Sequence, residues 1–307
     1  MSLSAKAAVQ VLRAVKKAGF MPGIDKNLDH EIARAKEYNR KHRYKEPTDH
    51  KALYKTVQIG GYPTLIIRSK SVHSHHNKAI LFLHGGGDRD TWKPEVAFAR
   101  TYANRTGADL FYPIYPPFTE VSVKNTADLI YTVYQRMVRK YGASHIAVVG
   151  GSYGGFLALQ LLTWMNKNGN AVDMPRLMIL NSPFAFPETA EEWELAREYE
   201  KNDPMMPEGA MQFMMDGVLW SDPHTPDYAL YPDKMDFRHA PETYVYYTEE
   251  VCACVAEAIR AAYDHDGSGE RMHMHIEPGM MHCYACAPVF PESRRDFNRQ
   301  IDLIKSM

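Results

Sequence analysis

The chain has 307 residues, 45% hydrophobic and 24% charged, a composition typical of folded globular proteins that argues against disorder. Its 36 lysines and arginines nearly balance its 37 aspartates and glutamates, so no overall charge attracts nucleic acid or an anionic membrane. No apolar run approaches the roughly 20 residues that span a bilayer, and basic residues interrupt the N-terminal stretch where a signal peptide would be apolar. We therefore expect a cytoplasmic protein whose partner is a small, uncharged molecule and not nucleic acid.

The four cysteines fall in two close pairs, Cys252 with Cys254 and Cys283 with Cys286, unlike the disulfide framework of a secreted protein. Four thiolates can also bind zinc, but the glycine-rich turns typical of such zinc sites are absent here. We expect no metal and no cofactor. The sequence leaves open whether these thiols have a redox or metal role.

From residue 54 onward, short apolar strands alternate with helices, the pattern of a mainly parallel sheet with right-handed crossovers. The predicted strands are 54–59, 64–67, 78–83, 109–114, 146–149, 176–181, 243–247 and 272–276. The predicted helices of this part are 94–106, 121–141, 156–165, 251–263 and one that begins near residue 291. In such a fold the active site lies at the carboxyl ends of the strands.

Two regions lie outside this alternation. Residues 1–50 predict two helices, over 5–17 and 28–43, that carry no catalytic motif. Residues 184–240 are rich in methionine, proline and aromatic side chains, and so much apolar material needs a surface to cover. We expect this insertion to form a cap with the N-terminal helices over a core of residues 51–183 and 241–307. The candidate pocket residues in the cap are Met211, Met214, Met215 and Trp220.

The first motif follows the predicted strand 146–149 and reads Gly150-Gly151-Ser152-Tyr153-Gly154. Glycines on both sides of the serine allow a strand to turn sharply into a helix, and this pattern predicts a nucleophile elbow. The alternative is a glycine-rich turn with an incidental serine.

The second motif, His84-Gly85-Gly86-Gly87, ends the predicted strand 78–83. A glycine run at this position lets main-chain N–H groups approach a ligand closely, as an oxyanion hole requires. A plain tight turn is the alternative. The histidines within residues 72–76 weakly resemble a metal tract, but their polar surroundings favour an exposed loop.

A serine nucleophile needs a histidine to accept its proton and a carboxylate to orient that histidine. His282 follows the last predicted strand through a Pro-Gly turn, while Glu249 and Glu250 follow the strand before it. The resulting order, serine then acid then histidine, is the one found in α/β-hydrolases. Both glutamates remain candidates at this point.

Taken together, these motifs resemble the hormone-sensitive-lipase-like carboxylesterases (bacterial family IV type) of the α/β-hydrolase fold, over about residues 50–307. The matching segments are His84 to Gly87, Tyr112 to Pro117, Gly150 to Gly154, Asn181 to Pro183, Asn202 to Pro204 and Pro278 to His282.

The resemblance implies that Ser152 is the nucleophile, that His282 is the base, and that Glu250, in an approximate Glu-Val-Leu pattern, is the acid. It also implies an oxyanion hole formed by the N–H groups of Gly85, Gly86, Gly87 and Tyr153. The chain departs from the family pattern at three positions that affect substrate preference: Asp88, Tyr153 and Tyr247.

The expected function is therefore hydrolysis of short-chain carboxylic esters through an acyl-enzyme. A peptidase or amidase on the same fold and a non-catalytic receptor of the same family are the alternatives. The sequence leaves open the physiological ester, its alcohol and the oligomeric state, with a homodimer as one alternative.

Overall fold

The computed structural model describes residues 1–20, 23–71, 77–91, 93–169, 172–248 and 255–307, and these residues form one sheet flanked by helices. The sheet has the order β1-β2-β4-β3-β5-β6-β7-β8. Its strands are β1 (Leu53–Ile59), β2 (Tyr62–Arg68), β3 (Ala79–Leu83), β4 (Asp109–Pro113), β5 (Ile146–Gly151), β6 (Leu177–Asn181), β7 (Glu242–Thr248) and β8 (Met272–Glu277). The hairpin β1–β2 joins β4 antiparallel, and every pairing from β4 to β8 is parallel. The predicted mainly parallel sheet is confirmed.

Helices cover both faces of this sheet. They are α1 (Leu3–Lys17), α2 (Leu28–Lys41), α3 (Lys93–Thr106), α4 (Val123–Tyr141), α5 (Tyr153–Lys167), α6 (Ala190–Asn202), α7 (Ala210–Ser221), α8 (Glu257–His265) and α9 (Pro291–Lys305). Because side chains alternate along a strand, Leu81 and Leu83 of β3 join one apolar cluster while Ile80 and Phe82 join the other. Helices α4, α5 and α8 pack into the first cluster, and α1, α3 and α9 into the second.

Among the helix starts that differ from the prediction, those of α4 and α5 are the most informative. Helix α4 begins at Val123, two residues later than predicted, because the Ser122 side chain caps it by accepting the Asn125 N–H at 3.3 Å. Helix α5 begins at Tyr153, before the predicted residue 156, so Gly154 and Gly155 are helical.

These two helical positions require glycine because the helix passes very close to its neighbours. A Cβ at Gly154 would lie 2.0 Å from the Leu83 carbonyl oxygen, and one at Gly155 would lie 2.8 Å from Pro183 Cα. Side chains at these positions would therefore push α5 away from β3.

The region 184–240 contains α6 and α7, and both helices pack on the core and on the N-terminal helices. A capping box between Thr189 and Glu192 begins α6. Helix α7 lies against the Phe118 ring at Gly217, where a Cβ would be 2.3 Å from the ring. The Lys16 ammonium of α1 donates to the carbonyl oxygens of Asp203 at 2.9 Å and Met206 at 2.7 Å, next to the end of α6.

Several predicted features fall outside the described residues: the histidine tract 72–76, Glu249, Glu250, Cys252 and Cys254. Of the predicted helix 251–263, the structure describes α8, Glu257–His265. In the described part of the chain, no helix combines the length and apolar character needed to cross a membrane.

Candidate active site

The backbone at Ser152 is held in an unfavourable conformation, with φ 53° and ψ −122°. This residue joins β5 directly to α5, as expected for a nucleophile elbow. Backbone hydrogen bonds fix the turn: the Ser152 N–H donates to the Asn181 carbonyl at 2.9 Å, and the Ser152 carbonyl accepts N–H groups from Gly155, Phe156 and Phe184. Such strain persists only where the surroundings enforce it, which marks Ser152 as a candidate functional residue.

The residue after the serine, Tyr153, is large, and the glycine loop accommodates it. A Cβ at Gly87 would lie 2.5 Å from the Tyr153 ring, so the ring occupies the space that a side chain at position 87 would need. The ring also packs near Phe118 and Phe156, with centroid separations of 5.8 Å and 5.5 Å. The large residue at position 153, which departs from the family pattern, therefore fits because position 87 is glycine.

The glycine loop lies beside the nucleophile, since a Cβ at Gly85 would be 3.3 Å from Ser152 Cβ. The Gly85 N–H, however, donates to Glu95 Oε1 at 2.7 Å and so already has a partner. For the N–H groups of Gly86, Gly87 and Tyr153, no acceptor is found among the described residues. The Gly85 N–H thus differs from the other three in having a partner within the described structure, and the oxyanion hole stays a prediction.

Glu95 is a buried carboxyl that sequence reasoning did not identify. It is 9% exposed, and burial raises its pKa to about 7. Its second oxygen, Oε2, has no hydrogen-bond partner among the described residues. A glutamate ten residues after Gly85, in the first turn of α3, gives no local sequence signal for this contact.

His84 supports the loop from beneath. Its ring is buried and stacks on Tyr115 with centroids 4.0 Å apart, and its Nδ1 lies 2.9 Å from the Gly85 carbonyl oxygen. Burial lowers the pKa of His84 to about 4, so the ring is neutral at pH 7. We interpret His84 as a packed support of the loop, since it has no described carboxylate partner.

His282 lies on the loop after β8, and this loop contacts the elbow at Asn181. The thiol of the next residue, Cys283, lies 3.4 Å from the Asn181 carbonyl oxygen, the acceptor of the Ser152 N–H. Burial lowers the pKa of His282 to about 4, which keeps its ring neutral and able to accept a proton at pH 7. Its Nε2 has no partner among the described residues, while Nδ1 lies 2.8 Å from the Tyr199 hydroxyl.

Comparison with known proteins agrees with this geometry. A family model described as alpha/beta hydrolase fold matches residues 80–286, about two thirds of the chain. The chain belongs to this family. The predicted α/β-hydrolase fold is confirmed.

Individual relatives of this α/β-hydrolase are distant. A triacylglycerol lipase of Mycobacterium tuberculosis (strain ATCC 25618 / H37Rv) is 30% identical over 166 residues, which span 50% of this chain and 36% of the lipase. EstE5, soaked with p-nitrophenyl butyrate, superposes with a TM-score of 0.76 at 20% identity, covering 100% of this chain and 99% of EstE5. An esterase from the bacterial hormone-sensitive lipase family gives 0.76 at 18% identity, covering 100% and 98%. At these identities the solved structures show a shared fold.

The four pocket candidates, all in α7, differ in how deeply their side chains are buried. Met211 and Met215 are buried and Met214 is half-buried, all within the apolar cluster that includes Tyr153. Trp220 is 45% exposed, with the Lys36 ammonium 4.6 Å from its ring centroid, and lies at the surface between α7 and α2. We therefore leave Trp220 out of the pocket proposed below.

Two clusters contain side chains of the kind that bind metal ions, but these side chains make other contacts. His275, Glu277 and Asp296 approach one another closely, but the Arg295 guanidinium lies among them, 2.9 Å from Asp296 Oδ2, in the place of a cation. Cys283 and Cys286 are both free thiols, and the hydrogen bond with Cys286, together with burial, raises the pKa of Cys283. Cys286 Sγ would lie 3.2 Å from a Cβ at Gly151, so it fills space beneath the elbow.

The raised pKa of Glu95 predicts a specific effect of pH on stability. Between its usual value of 4.5 and about 7, the unfolded chain has lost this proton while the folded chain keeps it, so the free energy of unfolding falls as pH rises. The loss across this window is on the order of 3 kcal/mol. In Glu95→Gln the amide oxygen still accepts the Gly85 N–H, and we expect this loss to disappear.

Urea unfolding at pH 5 and pH 8 measures the effect, with exposed Glu191→Gln as a control for the loss of one carboxyl. Parallel curves for the parent protein and Glu95→Gln from pH 5 to pH 8 would rule out a titrating Glu95 in this range.

Proposed function

We propose that this α/β-hydrolase is a serine carboxylesterase that acts on short-chain esters through an acyl-enzyme. The observation that carries the proposal is the strained Ser152, which lies beside the glycine loop. Asn181, the acceptor of its N–H, also contacts the loop that carries the neutral, buried His282. Support for ester substrates comes from the similar proteins, which are named as a lipase and as esterases, one of them soaked with p-nitrophenyl butyrate.

In the proposed reaction, His282 Nε2 removes the proton of the Ser152 hydroxyl as its oxygen attacks the ester carbonyl carbon. The carbonyl oxygen takes up the negative charge and accepts hydrogen bonds from the N–H groups of Gly86, Gly87 and Tyr153. The imidazolium then gives its proton to the alcohol oxygen as the carbon–oxygen bond to the alcohol breaks. Water, deprotonated by the same nitrogen, then attacks the acyl carbon. As the ester bond to Ser152 breaks, the imidazolium returns its proton to the serine oxygen, which releases the acid and restores the Ser152 hydroxyl.

The remaining members of the proposed site come from the resemblance and from packing. Glu250 is proposed as the acid that orients His282, with Glu249 as the alternative. The acyl chain is proposed to lie near Tyr153 and the α7 side chains Met211, Met214 and Met215. A peptidase or a receptor has no comparable support, because no similar protein reported above is named as either.

Replacing the proposed nucleophile or base should abolish hydrolysis. We expect Ser152→Ala and His282→Ala to reduce kcat for p-nitrophenyl butyrate by about a millionfold, because the two residues act as one unit. Exposed Ser144→Ala and His265→Ala are matched controls and should hydrolyse at the parent rate. A Ser152→Ala protein with half of the parent activity would exclude the mechanism.

The packed methionines of α7 predict a preference for small acyl groups. We expect kcat/KM to be highest for nitrophenyl acetate or butyrate and to fall for octanoate and palmitate, because a long chain must displace buried side chains. The rates are compared under matched soluble conditions. Faster cleavage of the palmitate would instead favour a true lipase.

The choice of acid is tested by two neighbouring substitutions. Adjacent residues of an extended segment point to opposite sides, so only one of the two glutamates is expected to face His282. We expect Glu250→Gln to lower kcat by about four powers of ten and Glu249→Gln to leave it nearly normal. The opposite result would transfer the role to Glu249.

A further inference from the structure

Helix α6 and the residue that follows it contact His282 at two points. The Tyr199 hydroxyl lies 2.8 Å from His282 Nδ1, and Asp203 Oδ2 accepts the His282 backbone N–H at 2.8 Å. Both side chains are almost fully buried, with Tyr199 at 2% and Asp203 at 1% exposure. The ring and the backbone of His282 are thus both bound by one short segment of the region 184–240.

The position of the phenol matters because a histidine base must have the correct tautomer. Nε2 can accept the serine proton only when it carries no hydrogen, so the hydrogen of the neutral ring must be on Nδ1. A phenol oxygen can accept this Nδ1–H and still donate its own proton elsewhere. The 2.8 Å separation fits such a hydrogen bond.

We propose that Tyr199 is a positioning residue for His282, whose hydroxyl accepts the Nδ1–H, leaves Nε2 free as the base, and stabilises the imidazolium formed when Ser152 is deprotonated. This proposal rests on the proposed function, in which His282 is the base. It adds a neutral acceptor at Nδ1 to the carboxylate expected from the sequence.

The segment that carries Tyr199 is itself well anchored. Glu200 accepts the backbone N–H groups of Gly209 at 2.8 Å and Met211 at 2.5 Å, and Asp203 accepts that of Met205 at 2.7 Å. The Lys16 ammonium binds the carbonyl oxygens at the end of α6, including that of Asp203. Because these bonds fix the helix end, the phenol is held in place before the reaction begins.

Two other roles for Tyr199 predict different results. A tyrosine that only fills space would leave catalysis unchanged when its hydroxyl is removed. A hydroxyl that donates to Nδ1 would place the ring hydrogen on Nε2 and block the base, so its removal would speed catalysis.

The test compares Tyr199→Phe, which removes only the hydroxyl, with Tyr134→Phe. Tyr134, which lies in α4 and not in α6, is a matched control. It is also buried, and its hydroxyl donates to the Asp173 carbonyl oxygen at 2.6 Å. Two rates are measured: labelling of Ser152 by a fluorophosphonate probe, located by peptide mass spectrometry, and hydrolysis of p-nitrophenyl butyrate from pH 3 to pH 9.

We expect Tyr199→Phe to slow both Ser152 labelling and kcat by about tenfold, with KM changed by less than about twofold. The acidic limb of its kcat/KM profile should move to lower pH, because the imidazolium loses an acceptor and the pKa of His282 falls. Tyr134→Phe should retain the parent rates and profile.

Parent-like rates and an unchanged pH profile in folded Tyr199→Phe would overturn the proposal, and so would faster rates. If Tyr199→Phe does not fold, ¹⁵N-histidine NMR of the parent protein at pH 7 tests the same point. The Nδ1-protonated tautomer of His282 supports the proposal, and the Nε2-protonated tautomer overturns it.

Failure of the proposed function has a different signature. In that case, the probe would leave Ser152 of the parent protein unlabelled, or His282→Ala would be labelled as fast as the parent. Labelling of Ser152 that depends on His282 but not on Tyr199 would overturn only the role of Tyr199.

Discussion

The backbone conformation of Ser152 is the constraint on which the rest of this structure depends. A residue with φ 53° and ψ −122° is unfavourable for serine, and its neighbours enforce it. Asn181 accepts the Ser152 N–H, and the Ser152 carbonyl accepts three N–H groups on the far side of the turn. These bonds require β6 and α5 to lie close to the elbow, and the glycines at 154 and 155 make that approach sterically allowed.

The same close packing brings the other parts of the site to the serine. Because α5 packs against the end of β3, the glycine loop that follows β3 lies next to Ser152. The loop after β8, which carries His282, contacts the elbow through the Cys283 thiol and the Asn181 carbonyl oxygen. Tyr199 of α6 and Asp203 just after it contact His282, so the region 184–240 reaches the proposed base.

Much of this could be predicted from contiguous sequence. All eight strands lie within two residues of their predicted bounds, because buried strands are short apolar runs between clear turn signals. The elbow and the glycine loop were recognisable because their glycines and key side chains are adjacent in the chain. The early start of α5 was missed because Gly154 and Gly155 look like loop residues, whereas the close approach of Leu83 and Pro183 is what requires glycine at these helical positions.

Contacts between distant residues could not be predicted in this way. Glu95, Tyr199 and Lys16 lie in ordinary amphipathic helices, and nothing near them in the sequence indicates what they bind. Asp203 belongs to a segment recognised by resemblance, yet its bond to the His282 N–H spans 79 residues. The hydrogen bond from the Gly85 N–H to Glu95 likewise depends on how α3 packs, which local patterns do not specify.

The central claim is that Ser152 forms a covalent acyl intermediate, and its most direct test is to trap that intermediate. The protein is mixed with excess p-nitrophenyl butyrate, quenched with acid within milliseconds, and digested for peptide mass spectrometry. The account predicts a butyryl group on the peptide that contains Ser152, formed at the rate of the nitrophenol burst. A butyryl group that forms at the burst rate on another residue, such as Cys283, would contradict it.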